Sequence, residues 1–224
     1  MPGGSRHGGG SSLGIIIKTL IITPSGALSP GPLSFAAIVS GAYLGWIGGF
    51  YLALGHMLFE MPFLVILWRT SGRIEPIIRR YFKPLSTIIS VFILYFAYLS
   101  LDAGFKGSTS TGELIITPNS AALALFAGII LTGANPHFLL WWVSAGFPLV
   151  TSLEGRDWRS FGVMYVSHVW MDYAWLLVLA GLGDLTTRFG ILYTMVMTAV
   201  GIFLALIAAD MLSRAWVGRK LLPF

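Results

Sequence analysis

The sequence predicts an all-α membrane protein: six transmembrane helices as a 3+3 inverted-topology repeat, with helices one and four broken. Three observations carry this. Hydrophobic residues make up 56% of the chain and charged ones only 10%, against about 25% charged in soluble domains. Six stretches approach the 20 or so apolar residues a bilayer span requires. Two of those stretches contain a proline break, and each break is followed by an apolar helix carrying a His-x-x-x-carboxylate pair.

In chain order, Met1–Ser12 is Gly/Ser-rich and reads as a flexible lead. The apolar run from Leu13 continues through Pro24 and Pro30-Gly31-Pro32 to Val39 with no evident cleavage site. It is therefore read as a retained first span rather than a signal peptide. The second span is Trp46–Trp68 and the third Leu85–Leu101. The fourth is Ser120–Val150, with Asn135-Pro136 in its interior. The fifth is Phe161–Leu182 and the sixth Phe189–Leu212. The organisation read from this is a lead at 1–12, a first three-helix repeat at 13–104, an extracytoplasmic linker at 105–118, a second repeat at 119–213 and a basic tail at 214–224.

Charge sets the orientation. Arg6, Lys18, Arg69, Arg73, Arg79, Arg80, Lys83, Arg156, Arg159, Arg214, Arg219 and Lys220 fall on one side of a six-span layout; only Lys106 and Arg188 fall on the other. The positive-inside rule then places both termini in the cytoplasm, in the cytoplasmic (plasma) membrane. The loop Arg69–Pro84 reads as a short interfacial helix near lipid headgroups. Asp102 and Asp210 read as solvated markers of helix ends. With no Cys, thiol chemistry is excluded, and the loop-bound net charge of +5 points to membrane orientation rather than to nucleic acid.

The halves match in order. Pro32 precedes His56 and Glu60; Pro136 precedes His168 and Asp172. Three spans per half is an odd number, so the second half must enter the membrane inverted. Prolines at Pro30, Pro32 and Pro136 remove backbone donors and free carbonyls a turn earlier, groups that must be satisfied by neighbours or line a wet cavity. Pro30, Gly31, Pro32, Asn135 and Pro136 are accordingly candidate substrate-binding residues, with Trp175 as a cavity wall. His56 with Glu60, and His168 with Asp172, lie four apart and share a helix face. Carboxylates at membrane depth need a partner, and imidazoles exchange protons near neutral pH, so these four are the candidate proton-coupling residues. Two His and two carboxylates also fit a divalent metal, which keeps a divalent-cation exporter as an alternative. An intramembrane enzyme is a further alternative, against which stands the lack of a nucleophile elbow or a His-Glu-x-x-His motif. Ala37, Gly41, Gly45 and Gly49 form a small-residue stripe for close helix contact, and the stretch from Gly41 to Trp46 supplies a tight turn.

Pro30-Gly31-Pro32, the series Gly41, Gly45, Gly49 and Gly55, Asn135-Pro136, and Asp172 with Trp175 together resemble the lysine exporter superfamily, the LysE/RhtB type of amino-acid exporter, over roughly Leu13 to Leu212. The resemblance implies a secondary transporter, not an enzyme. It would export amino acids or similar small solutes on a proton or potential gradient, as a proton-coupled antiporter and often as a homodimer. Partners are then a small solute, a coupling proton or cation, and membrane lipid. No organic cofactor and no resident metal is expected. The chain departs from the family pattern at His137, where Lys commonly follows Asn-Pro, and at His56 and Glu60, which are less typical of the amino-acid branch. The absence of Cys excludes the electron-carrying branch.

Overall fold

The computed structural model describes residues 12–28, 31–106, 118–153 and 157–221, and their regular elements are all helical. The helices are α1 (Ser12–Ile22), α2 (Pro24–Ala27), α3 (Pro32–Leu44), α4 (Trp46–Lys106), α5 (Ala121–Gly133), α6 (Pro136–Val143), α7 (Phe147–Thr151), α8 (Trp158–Arg188) and α9 (Gly190–Trp216). Four stretches can each cross a bilayer: Trp46–Ser71, Arg80–Lys106, Trp158–Thr187 and Gly190–Trp216. Two bent pairs bring the number to six when each is one broken span: Ser12–Ala27 with Pro32–Leu44, bent by 74°, and Ala121–Gly133 with His137–Val143, bent by 55°. An all-α membrane protein with its first and fourth spans broken is thus what the chain forms. Pro30, most of the lead Met1–Ser12, residues 107–117 of the linker, and Arg156 lie outside the described residues.

The breaks follow from proline chemistry. Pro24, Pro32 and Pro136 each open a helix, a position where the missing N–H has no intrahelical acceptor to satisfy and φ is already helical. Asn135 caps α6 by accepting the His137 N–H on Oδ1 at 3.0 Å. Asp157 caps α8 by accepting from the backbone of Ser160 and Arg159 at 3.0 and 3.2 Å, and these donors hold its carboxyl below the ordinary range. Gly45 ends α3 with φ +61°, in the left-handed region where only glycine is unstrained.

The stretch Arg69–Pro84 is helical, as expected, running on from the second span and interrupted at Tyr81 (φ −103°, ψ 16°). Two particulars differ from expectation. The fourth span does not run to Val150; α6 stops at Val143 and α7 follows. Lys18 is not a loop charge but lies inside α1, donating its Nζ to the Pro148 carbonyl at 2.9 Å.

Lipid tails are as apolar as leucine, so helices associate through close packing rather than the hydrophobic effect. Glycine provides it here. α5 crosses the first half of α4 where Gly55 meets Gly128: a Cβ on either would fall on the other helix's backbone, at the Leu125 or Leu52 carbonyl. α3 packs on α8 in the same way, with Gly41 against Ala180 and Gly183 against the Ile38 carbonyl. The small-residue stripe turns the corner at Gly45, and Gly41 on α3 and Gly49 on α4 both end against Ala180. The second half of α4 lies on α9, with Gly104 at Thr198 and Gly201 at Leu101.

Replacing Gly128 with leucine should overpack the α4–α5 crossing and destabilise the fold by about 1–3 kcal/mol. Gly162→Ala, at a site with open space around it, should leave stability near wild type. Thermal unfolding of the purified protein in detergent checks both; equal melting temperatures for the two variants would contradict the packing described.

Candidate functional site

α4 carries His56 and Glu60 one turn apart, and α8 carries His168 and Asp172 one turn apart. The fold brings all four together in the interior, at 5%, 1%, 2% and 8% exposure respectively. His168 Nε2 lies 3.3 Å from Glu60 Oε1 and 3.2 Å from Asp172 Oδ2. His56 Nε2 lies 3.5 Å from the same Glu60 oxygen and 3.9 Å from the same Asp172 oxygen. Each imidazole therefore faces the carboxylate of its own helix and that of the other. The sequence shows two local pairs; the structure makes them one cluster.

The opposite edge of each ring is fixed by a threonine from a broken span. His56 Nδ1 is 2.9 Å from Thr132 Oγ1 on α5, and His168 Nδ1 is 2.9 Å from Thr23 Oγ1, between α1 and α2. The Thr132 hydroxyl donates to the Gly128 carbonyl at 2.6 Å. Its one proton is thus committed, and it accepts from His56 Nδ1–H. Trp142 Nε1 donates to Glu60 Oε1 at 3.0 Å, while Glu60 Oε2, Asp172 Oδ2, His56 Nε2 and Trp175 Nε1 are buried without a hydrogen-bond partner.

A cavity of about 70 Å³ opens on this cluster, lined also by Gly31, Leu33, Ser34, Asn135 and Trp175. The two breaks meet across it: the Asn135 side-chain nitrogen stands 3.7 Å from where a Cβ on Gly31 would be. Gly31, Asn135 and Trp175 therefore stand where the sequence reading placed them. Pro32 is buried at the start of α3 but is not among the described lining residues; Pro136 opens α6. A second cavity, of about 460 Å³, is lined by Ser25, Phe82, Ser86, Ser144, Asp210 and Arg214 among others, and shares His137 and Trp141 with the first. The Trp141 indole stacks on the His168 ring at 5.7 Å and donates to Ser25 Oγ at 3.1 Å, so it forms the partition between the cavities.

Sequence reasoning missed Thr23, Thr132, Trp141 and Trp142 as site residues. The threonines had a signal: each precedes a break, Thr23 at Pro24 and Thr132 three residues before Asn135. The tryptophans read equally well as interfacial anchors. Asp210 is a correction. It is not a solvated marker but 6% exposed, holding Arg214 at 2.5 Å and the Leu221 N–H at 2.7 Å, because the chain after α9 folds back over it. Asp102 is half-buried near the end of α4 and paired with Lys106 at 2.7 Å.

A multi-span helical protein with a polar cluster buried between two broken helices is a membrane protein built around an intramembrane site. The family model for LysE type translocators matches residues 24–215, and the chain belongs to that family. It is accordingly a membrane translocator and not an enzyme. Comparisons with curated proteins and with solved structures gave no match.

Thr132→Val, which keeps the shape and removes the acceptor, should leave His56 Nδ1–H buried and unpaired at a cost of about 1–3 kcal/mol. Thr23→Val should act similarly on His168. Thermal unfolding measures this, and a wild-type melting temperature in both variants would show that neither bond orders the ring.

Proposed function

We propose that this translocator exports small solutes of the amino-acid class from the cytoplasm in exchange for protons, with the His56, Glu60, His168 and Asp172 cluster as the exchanging group. The observation that carries the reading is the joining of titratable groups from α4 and α8 in one buried cavity where the breaks of the first and fourth spans meet.

The chemistry of the cavity suits both ends of an amino acid. Glu60 and Asp172 attract an ammonium group. The Asn135 side-chain amide and the N-terminal turn of α3, which begins at the break, attract a carboxylate through N–H groups and the helix dipole. Ammonium and proton compete for the same two carboxylates. Solute binds where the carboxylates are deprotonated and is displaced where protons are abundant, which is obligatory exchange. Family membership supports export of amino acids or similar solutes as the substrate class.

An inverted repeat is supported by the way partners are exchanged. A threonine of the first span holds the histidine of the fifth, and a threonine of the fourth span holds the histidine of the second. A two-fold axis in the membrane plane would convert each bond into the other. On the charge distribution, the larger cavity at Asp210 and Arg214 faces the cytoplasm with both termini. Solute then enters past Trp141, and rocking of the halves exposes the cluster to the other side.

Proteoliposomes holding the wild-type protein should move a radiolabelled amino acid against an imposed pH gradient. Glu60→Gln combined with Asp172→Asn should lower gradient-driven transport by about tenfold or more, equivalent to about 1.4 kcal/mol or more. Full transport by the double variant, with its response to the gradient intact, would sink the proton-coupling reading. Wild-type vesicles inert to every amino acid tried would sink the solute class.

A further inference from the structure

We propose that the same four residues form a binding site for one divalent first-row transition-metal ion, with His56 and His168 as nitrogen ligands and Glu60 and Asp172 as oxygen ligands. This inference concerns the cavity of the transport reading but does not rest on it.

The spacing argues for an ion. A direct N–H···O hydrogen bond spans about 2.7–3.2 Å, and charge-assisted ones are shorter, at about 2.7–2.9 Å. The four contacts between imidazole nitrogens and carboxylate oxygens measure 3.2, 3.3, 3.5 and 3.9 Å, at or beyond the long end of that range. An ion with donors at about 2.0–2.2 Å sets tetrahedrally placed donors about 3.3–3.6 Å apart. The observed separations centre on that value. His56, Glu60 and Asp172 each offer a ligand atom, all within 4.8 Å of one another, and His168 Nε2 reaches both carboxylate oxygens.

The surroundings argue the same way. Metal-bound histidines usually give their second ring N–H to an outer acceptor, which fixes the tautomer and aims the free nitrogen. His56 does this through Thr132, and His168 has Thr23 at the same distance. Trp142 orients Glu60 from the side. His56 Nε2, Glu60 Oε2 and Asp172 Oδ2 are buried without hydrogen-bond partners, a costly state in a membrane interior that a coordinating ion relieves. Two carboxylates and a dication sum to zero charge with both histidines neutral. Two imidazoles with two carboxylates favour ions of intermediate softness such as Zn²⁺, Co²⁺ or Ni²⁺ over Mg²⁺ and Ca²⁺, which take oxygen alone.

The test is calorimetric titration of untagged, full-length protein in detergent with Zn²⁺, Mg²⁺ and Ca²⁺, with no solute and no gradient. The expected result is uptake of one Zn²⁺ per chain, not competed by millimolar Mg²⁺. Thr132→Val should weaken it by about tenfold or more through the released ring, and His56→Ala with His168→Ala should abolish it. Asp210→Asn, a buried carboxylate outside the cluster, should leave it unchanged. Co²⁺-loaded wild type should show visible absorption that the double histidine variant lacks, provided that variant elutes as a monodisperse species. No saturable Zn²⁺ uptake by the wild type would overturn the proposal, and so would uptake unchanged in a monodisperse His56→Ala, His168→Ala protein. Wild type that binds Zn²⁺ but moves no amino acid keeps this proposal and sinks the transport reading; the reverse result sinks this proposal alone.

Discussion

Everything else in this protein is arranged around two carboxylates buried in its interior. Glu60 and Asp172 are almost wholly buried, and a charge in such a medium persists only if other groups take over the work of the lost water. Neither helix can supply enough by itself, since each carries one imidazole for one carboxylate. The solution is to set α4 beside α8 so that each imidazole serves both acids. That requirement fixes the relative rotation and height of the two spans, and through them the placement of their neighbours.

The broken spans answer the same constraint. A continuous first or fourth helix would present a closed wall of side chains to the cluster. Interrupting each at proline turns helix ends, an asparagine amide and two threonine hydroxyls toward it. Such irregular backbone is tolerated at membrane depth only where it is enclosed by protein or lines a cavity, and Gly31 and Asn135 face each other across one. The glycine contacts let this happen at close range. Thr132 reaches His56 because Gly128, one turn earlier on α5, lies against Gly55, one residue before His56.

The cluster links the two ligand readings. Proton, ammonium and dication are all cations competing for the same oxygens, and two of them also compete with or for the same imidazole nitrogens. Under the proposed exchange, a site whose donors come from both α4 and α8 would change its geometry when those helices move. Its affinity for these cations would then differ between conformations, and that difference would couple binding to motion. Trp141, stacked on His168 and tied to Ser25, is the side chain positioned to register it, because it divides the cluster from the larger cavity.

Much of this was legible in the chain. The apolar stretches announced an all-helical membrane protein, and Pro32 and Pro136 marked the breaks, because hydropathy and the missing proline N–H are local properties. His56 with Glu60, and His168 with Asp172, were identifiable as pairs because a spacing of four puts them on one helix face. What stayed hidden was everything depending on how helices face one another. The merging of two pairs into one cluster, the reach of Thr23 to His168 and of Thr132 to His56, the diversion of Trp142 to Glu60 and the burial of Asp210 under the returning chain are contacts between residues 11 to 145 positions apart. The sequence by itself determined which residues could not be left alone in a membrane. Only the tertiary structure decided which partners they received, since a buried charge demands a partner but leaves open which helix provides it.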